Sequence, residues 1–357
     1  MGISLNECVH YQILDVSLTI ESDTSDLIKA FDIDYGAFRV PNHKKPPALK
    51  YYAEFKTNSQ PGLYIHDQWF SLQDHPAPIR MAYHLILEQL FYTIQSFLVI
   101  HAGVITHNHS AIVITGPPGA GKSTLVTALY KRGYQIFSDE YCPIHIHTNL
   151  VHPFPRTIWL SKRNLSNQAS QTCMRHQKEP YTLTDFHNMI HAEPIELSTV
   201  ICLTSSMLPT KKQIIVYGKR HVDRLIKHLK AMPGISIELT DQNSLEWRIT
   251  YYSDTSNASQ IQRILSDHRD LFWHAFQKDY IQPDFTRPAS MKRFSIHETA
   301  FFLMRDLKNT CYSINKPHHS SIQTMADLCD KLKNTHCYKM IPGTLQSMCD
   351  LIISLKL

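Results

Sequence analysis

The run Gly116-Pro117-Pro118-Gly119-Ala120-Gly121-Lys122-Ser123 constrains this chain more than any other feature. It fits G-x-x-x-x-G-K-[ST], and each position has a physical purpose. Glycines let backbone N–H groups turn inward and approach phosphate oxygens closely. A helix starting at the last residues adds free N–H groups and the positive end of its dipole. The Lys122 ammonium can reach β- and γ-phosphates, and the Ser123 hydroxyl can ligate Mg²⁺. The flanks agree, because the apolar "AIVIT" before the loop suits a strand and "STLVTALYKRG" after it suits a helix stopped by Gly133. A glycine-rich structural turn would leave the Lys-Ser pair unexplained. Residues Gly116 to Thr124 are therefore the expected phosphate-binding set, and strand, loop, helix and returning strand together require an α/β core.

The returning strand is legible as "YQIFSDEYCPIHI", and it carries two adjacent acids, Asp139 and Glu140. One helix and one strand beyond Lys122, they fall where strand ends gather around a ligand. A carboxylate there can hold Mg²⁺ or take the proton of an attacking hydroxyl. The plainer alternative is a helix cap or a surface turn.

Composition narrows the function classes. With 357 residues the chain suits two or three domains, and 43% hydrophobic residues suffice for a sizeable core. A net charge of +5 allows an anionic substrate without demanding nucleic acid. The start "MGISLNECVHYQILDV" is too polar for a signal peptide. The longest apolar stretch, 85–100, is interrupted by Glu88, Gln89 and Gln95, so no membrane span is expected. The eight cysteines form no Cys-x-x-Cys pair and read as free thiols of a cytoplasmic protein. The histidines contain no zinc-protease pattern, and the clusters "HTNLVHPFPRTIW" and "KPHHSS" read as loop polarity before metal binding.

Three stretches are expected. Residues 1–75 alternate apolar and polar positions and should be β-rich. Residues 76–255 hold the phosphate loop, preceded by a buried helix that Pro78 opens near its first turn. Residues 256–357, with "NASQIQRILSDHRDLFWHAFQ", "SIHETAFFLMRDLKNTCYSI", "SSIQTMADLCDKLKNTH" and "GTLQSMCDLIISLKL", carry helical spacing and should form an all-α C-terminal domain.

The stretch "HAGVITHNHSAIVITGPPGAGKSTLVTALYKRGYQIFSDE" resembles the core of HPr serine kinase/phosphorylase and its shorter relatives, the HPr-kinase-related proteins. The matching residues are His101, Gly116 to Ser123, Arg132-Gly133 and Asp139-Glu140, with a further echo in "VHPFPRTIWLSK". The resemblance implies a phosphoenolpyruvate-carboxykinase-like core, a mixed and strongly twisted sheet distinct from the doubly wound fold. It implies ATP with Mg²⁺, and transfer of the γ-phosphoryl group to a hydroxyl, such as a serine, of a protein, peptide or small molecule. It places His101 near the transferred phosphate and Arg156 and Lys162 as a clamp on it. Ser123 and one acid would hold Mg²⁺, with Asp139 as base and Glu140 in the metal shell, or the two exchanged.

Three rival readings stay open. One is a nucleotide-regulated switch protein with weak ATPase activity, and another is a carboxykinase-type enzyme. The third concerns the basic stretch 211–230, which suits docking of an acidic peptide or protein better than nucleic acid. Assembly into a homo-oligomer is also left open.

Overall fold

The computed structural model describes residues 7–41, 46–56, 60–65, 68–73, 75, 77–161, 178–181, 193–204, 211–219, 221–241, 246–252, 257–279, 284–309 and 321–355. Strict alternation opens the chain. In β1 (Glu7–Ile13) Val9, Tyr11 and Ile13 point inward, and in β2 (Val16–Ser22) Val16, Leu18 and Ile20 do the same. These strands join β3 (Arg39–Val40), β4 (Leu49–Glu54), β5 (Gly62–Ile65) and β6 (Gln68–Ser71) in a six-stranded sheet of order β3-β1-β2-β4-β5-β6. Helix α1 (Ser25–Tyr35) covers it through Leu27, Ile28 and Phe31. Helix α2 (Pro78–Thr93) begins on the expected proline, whose missing N–H costs nothing in a first turn. Its buried Ala82, Ile86 and Leu90 belong to the same apolar cluster.

Just before α2, His75 is buried and accepts a hydrogen bond from the Ala77 amide through Nδ1, 3.0 Å. Burial pushes its pKa down to about 4. The unfolded chain therefore takes up this proton first, and stability present above pH 6.5 is lost as pH falls toward 4. Thermal melts at pH 7 and pH 5 should differ less for His75→Asn than for the wild-type chain.

A second sheet carries the phosphate loop. Its strands are β7 (Phe97–His107), β8 (Ser110–Thr115), β9 (Gln135–Ser138), β10 (Tyr141–His145), β11 (Leu150–Val151) and β14 (Ile195–Leu203), with β19 (Ser290–Arg293) and β20 (His336–Ile341) from the far end of the chain. The order is β11-β10-β7-β8-β14-β20-β19, with β9 also on β7. Strand β14 runs parallel to β8 and β20 while the other pairs are antiparallel, so the sheet is mixed. It also curls far enough for β11 to pair with β14. Helices cover both faces. On one, α3 (Lys122–Tyr130) and α8 (Leu345–Ile353) pack over Ile112, Ile114 and Ile201. On the other, α6 (Ile296–Asp306) and α7 (Ser321–Lys331) pack over Val113, Val200 and Cys202. A short ribbon of β12 (Ile158–Ser161) and β13 (Lys178–Tyr181) lies outside both sheets.

Between β14 and β19 the chain builds β15 (Lys211–Gly218), α4 (Asp223–Lys230), β16 (Ile235–Asp241), β17 (Glu246–Tyr252), α5 (Asn257–Asp267) and β18 (Phe272–Asp279). The antiparallel order β16-β17-β15-β18 is that of a split βαβ, ferredoxin-like unit. Its own core includes Val216, Leu225, Leu229, Ile249 and Ile261.

Two expectations need correction. Residues 256–357 are not all-α, because β18, β19 and β20 lie among their helices. Strand β20 is central, registered against β14 from Thr199↔His336 to Leu203↔Met340. A six-residue buried strand between two helices has no periodicity that separates it from helix. The expected boundary at 255 also runs through one folded unit, since β18 pairs with β15. That pairing is non-local and leaves no trace in a short window. Among the described residues, no helix is long and apolar enough to cross a membrane.

Candidate nucleotide site

Strand β8 ends at Thr115, and the loop turns through glycines at φ 156° (Gly116), 85° (Gly119) and 93° (Gly121). At Gly116 a side chain has no room, because a Cβ would lie 2.8 Å from the Leu203 Cβ and 2.9 Å from the Leu203 carbonyl oxygen. Gly121, left-handed, is the N-cap of α3 and directs the first-turn N–H groups toward the loop. Lys122 is 8% exposed, and its Nζ donates to the carbonyl oxygens of Gly116 (2.7 Å) and Pro117 (3.4 Å). Burial pushes its pKa down to about 8, while Asp306 and Asp139 favour the charged form. Ser123 and Thr124 are half-buried in the first turn.

The acids occupy a break in a strand. The sequence suggests one continuous strand from Tyr134; the chain instead forms β9 and β10, both laid on β7, and leaves Asp139 and Glu140 between them. The Ala102 N–H donates to the Glu140 carbonyl oxygen, 3.1 Å, so the break stays anchored. On β7, His101 and Gly103 share one face by alternation. A Cβ on Gly103 would lie 2.6 Å from Val126 Cγ2 and 3.9 Å from Asp139 Oδ1. The missing side chain therefore brings α3 and Asp139 together against β7. His101 is paired in register with Tyr141 on the same face.

Glu140 is tied into a network that reaches α1. The Glu140 carboxylate is ion-paired with Arg156, which also donates through Nη2 to Asp34 Oδ2, 2.8 Å. Asp34 belongs to α1 and further accepts from Tyr83 Oη and from Trp159 Nε1 (2.8 Å). The Arg156 guanidinium lies over the rings of Tyr35 and Tyr141, 5.5 and 5.6 Å from their centroids. Breaking a buried pair by removing one partner costs about 3 kcal/mol or more. Asp34→Ala should lower the unfolding free energy by about that amount in denaturant titrations.

Lys162 lies outside the described residues. Of the other expected site residues, Asp139 favours the charged form of the loop lysine, Glu140 is ion-paired with Arg156, and His101 lies on β7 opposite Tyr141. Sequence reasoning missed Asp306 and Asp34. Asp306 ends α6 and accepts from Thr115 Oγ1 at 2.6 Å, beside the loop's first residue. Leu307 and Lys308 then continue along β7, through the bridge Ile100↔Leu307 and the bond from the Lys308 N–H to the Val99 carbonyl oxygen, 2.8 Å. One signal was available, because an acid at a helix C-terminus opposes the dipole and so implies a tertiary partner. Asp34 is one of two acids in "KAFDIDYG", with no such mark.

Hard oxygen donors, a hydroxyl and carboxylates, suit Mg²⁺ better than a soft metal. Ser123 and the two acids have that chemistry, and Glu140 is ion-paired with Arg156. Fold and loop together define a P-loop nucleotide-binding domain. A family model described as AAA domain matches residues 111–189, which includes the loop, α3 and both acids. No curated protein matches the chain. Among solved structures, an HPr(Ser) kinase/phosphatase from Coxiella burnetii aligns at 14% identity and a TM-score of 0.21, covering 48% of this chain and 95% of that one.

Proposed function

We propose that the chain is an ATP- and Mg²⁺-dependent phosphotransferase that passes the γ-phosphoryl group to a hydroxyl of a protein, peptide or small molecule. The observation that carries this reading is the junction of β9 and β10, where the Asp139 carboxylate lies near enough to the phosphate-loop lysine to favour its charged form. The loop N–H groups and Lys122 hold the phosphates, and Ser123 with Asp139 would hold Mg²⁺, which would supply neutralisation of the phosphate charge. Asp139 would also accept the acceptor's proton as its oxygen bonds to the γ-phosphorus and the bond to ADP breaks. If metal binding and proton transfer fall to different acids, Glu140 would supply one of them after release from Arg156. His101 would orient the acceptor, and Arg156 would stabilise charge on the phosphoryl group in transit. The core would then be of the carboxykinase-like kind that the resemblance implies.

A nucleotide-dependent switch is the second reading, favoured by the way Arg156 ties Glu140 to α1. One experiment separates them. Cell extract incubated with the purified chain and γ-labelled ATP should yield labelled species that are missing with Lys122→Ala. Slow release of phosphate with no labelled acceptor would support the switch instead.

A further inference from the structure

Beside the phosphate loop stands an aromatic ring that no step above uses. Phe285 is 41% exposed, and its ring edge meets the loop at Gly121. A Cβ on Gly121 would lie 3.5 and 3.6 Å from Phe285 Cε1 and Cζ. The loop that carries the ring is held from several sides. Asp284 Oδ1 accepts from the Thr286 N–H and Oγ1, at 3.0 and 2.6 Å, forming a tight turn with Phe285 at its tip. Downstream, the Thr344 N–H donates to the Arg287 carbonyl oxygen (2.8 Å) and the Ala289 N–H donates to Ser347 Oγ (2.7 Å), fixing the loop to the start of α8. Gly343 is required for that approach, since a Cβ there would lie 2.3 Å from the Ala289 amide nitrogen and from the Arg287 carbonyl oxygen.

A neutral ring offers nothing to a phosphate. What it offers is a π-face, beside Gly121 of the phosphate loop. We propose that Phe285 is the stacking platform for the nucleobase, so that the last third of the chain supplies base affinity to a loop made in the first half. This rests on the nucleotide reading above. Stacking alone reads no base edge, so purines of either kind are accommodated and the larger π-face is preferred over pyrimidines.

The test compares a ligand with a base and one without. Mg²⁺-ATP and Mg²⁺-tripolyphosphate are titrated calorimetrically into the wild-type chain and into Phe285→Ala, Phe285→Leu and Phe285→Tyr. Loss of the ring should weaken ATP about tenfold in both the Ala and Leu variants, leave tripolyphosphate unchanged, and leave Phe285→Tyr close to wild type. The Leu variant keeps an apolar contact on Gly121, so a packing defect in the Ala variant cannot imitate the result. Equal weakening of both ligands, or no change for ATP, overturns the proposal while leaving the nucleotide reading intact. A wild-type chain that binds tripolyphosphate no more weakly than ATP also overturns it, and one that binds neither overturns both.

Discussion

Lys122→Ala should abolish detectable phosphoryl transfer, a loss of about a thousandfold or more, because this reaction is carried by positioning and charge stabilisation. The side chain is not a surface lysine that alanine could replace quietly. It is buried, its Nζ bonds the carbonyl oxygens of Gly116 and Pro117, and it lies near two carboxylates. Its depressed pKa adds a signature. The ammonium form dominates below about pH 8, and the free protein loses it above. Nucleotide binding restores the charge, so affinity should fall about tenfold between pH 7 and pH 9, with a proton taken up on binding. Calorimetry in buffers of different ionisation enthalpy measures that uptake. A flat profile with no proton uptake would show that Lys122 is not what the phosphates meet.

The second large effect separates the two acids. Asp139→Asn should cost about three orders of magnitude in transfer rate and leave nucleotide affinity within a few-fold. Glu140→Gln should cost less, since Glu140 is already committed to Arg156, which keeps its other partner, Asp34, when Glu140 is neutral. Single-turnover rates for both variants decide the order. The reverse ranking would move the proton-accepting role to Glu140 and make the Arg156 pair a resting arrangement that opens during turnover.

What the sequence made legible follows from how local each signal is. The phosphate loop announces itself because its geometry is encoded in eight consecutive residues, and the observed glycine dihedrals match that need. The break at Asp139-Glu140 was legible as acids near a strand end, but not as an interruption. That depends on how β9 and β10 each register on β7, and a single strand's pattern does not carry it. Asp34, Asp306 and Phe285 reach the site from α1, from the end of α6 and from the loop before β19. Each depends on packing between elements far apart in the chain, and only Asp306 leaves a local inconsistency that could have flagged it. The helices of the last hundred residues were visible one by one. Their intervening strands were not, because a short buried strand borrows its identity from its neighbours.

The placement of β20 bears on how the molecule comes into being. Its partner β14 is finished at Leu203, yet β20 begins only at His336, after a whole ferredoxin-like unit and two more helices have been made. Until then β14 has an unpaired ladder from Thr199 to Leu203, and the apolar surface of Val200 and Cys202 has no α6 or α7 to cover it. Such late, long-range parallel pairing is slow and exposes sticky edges while it waits. During synthesis the nucleotide loop would thus be complete in sequence well before its floor is rigid, and a nascent chain of this kind depends on shelter, or on speed, over its final stretch.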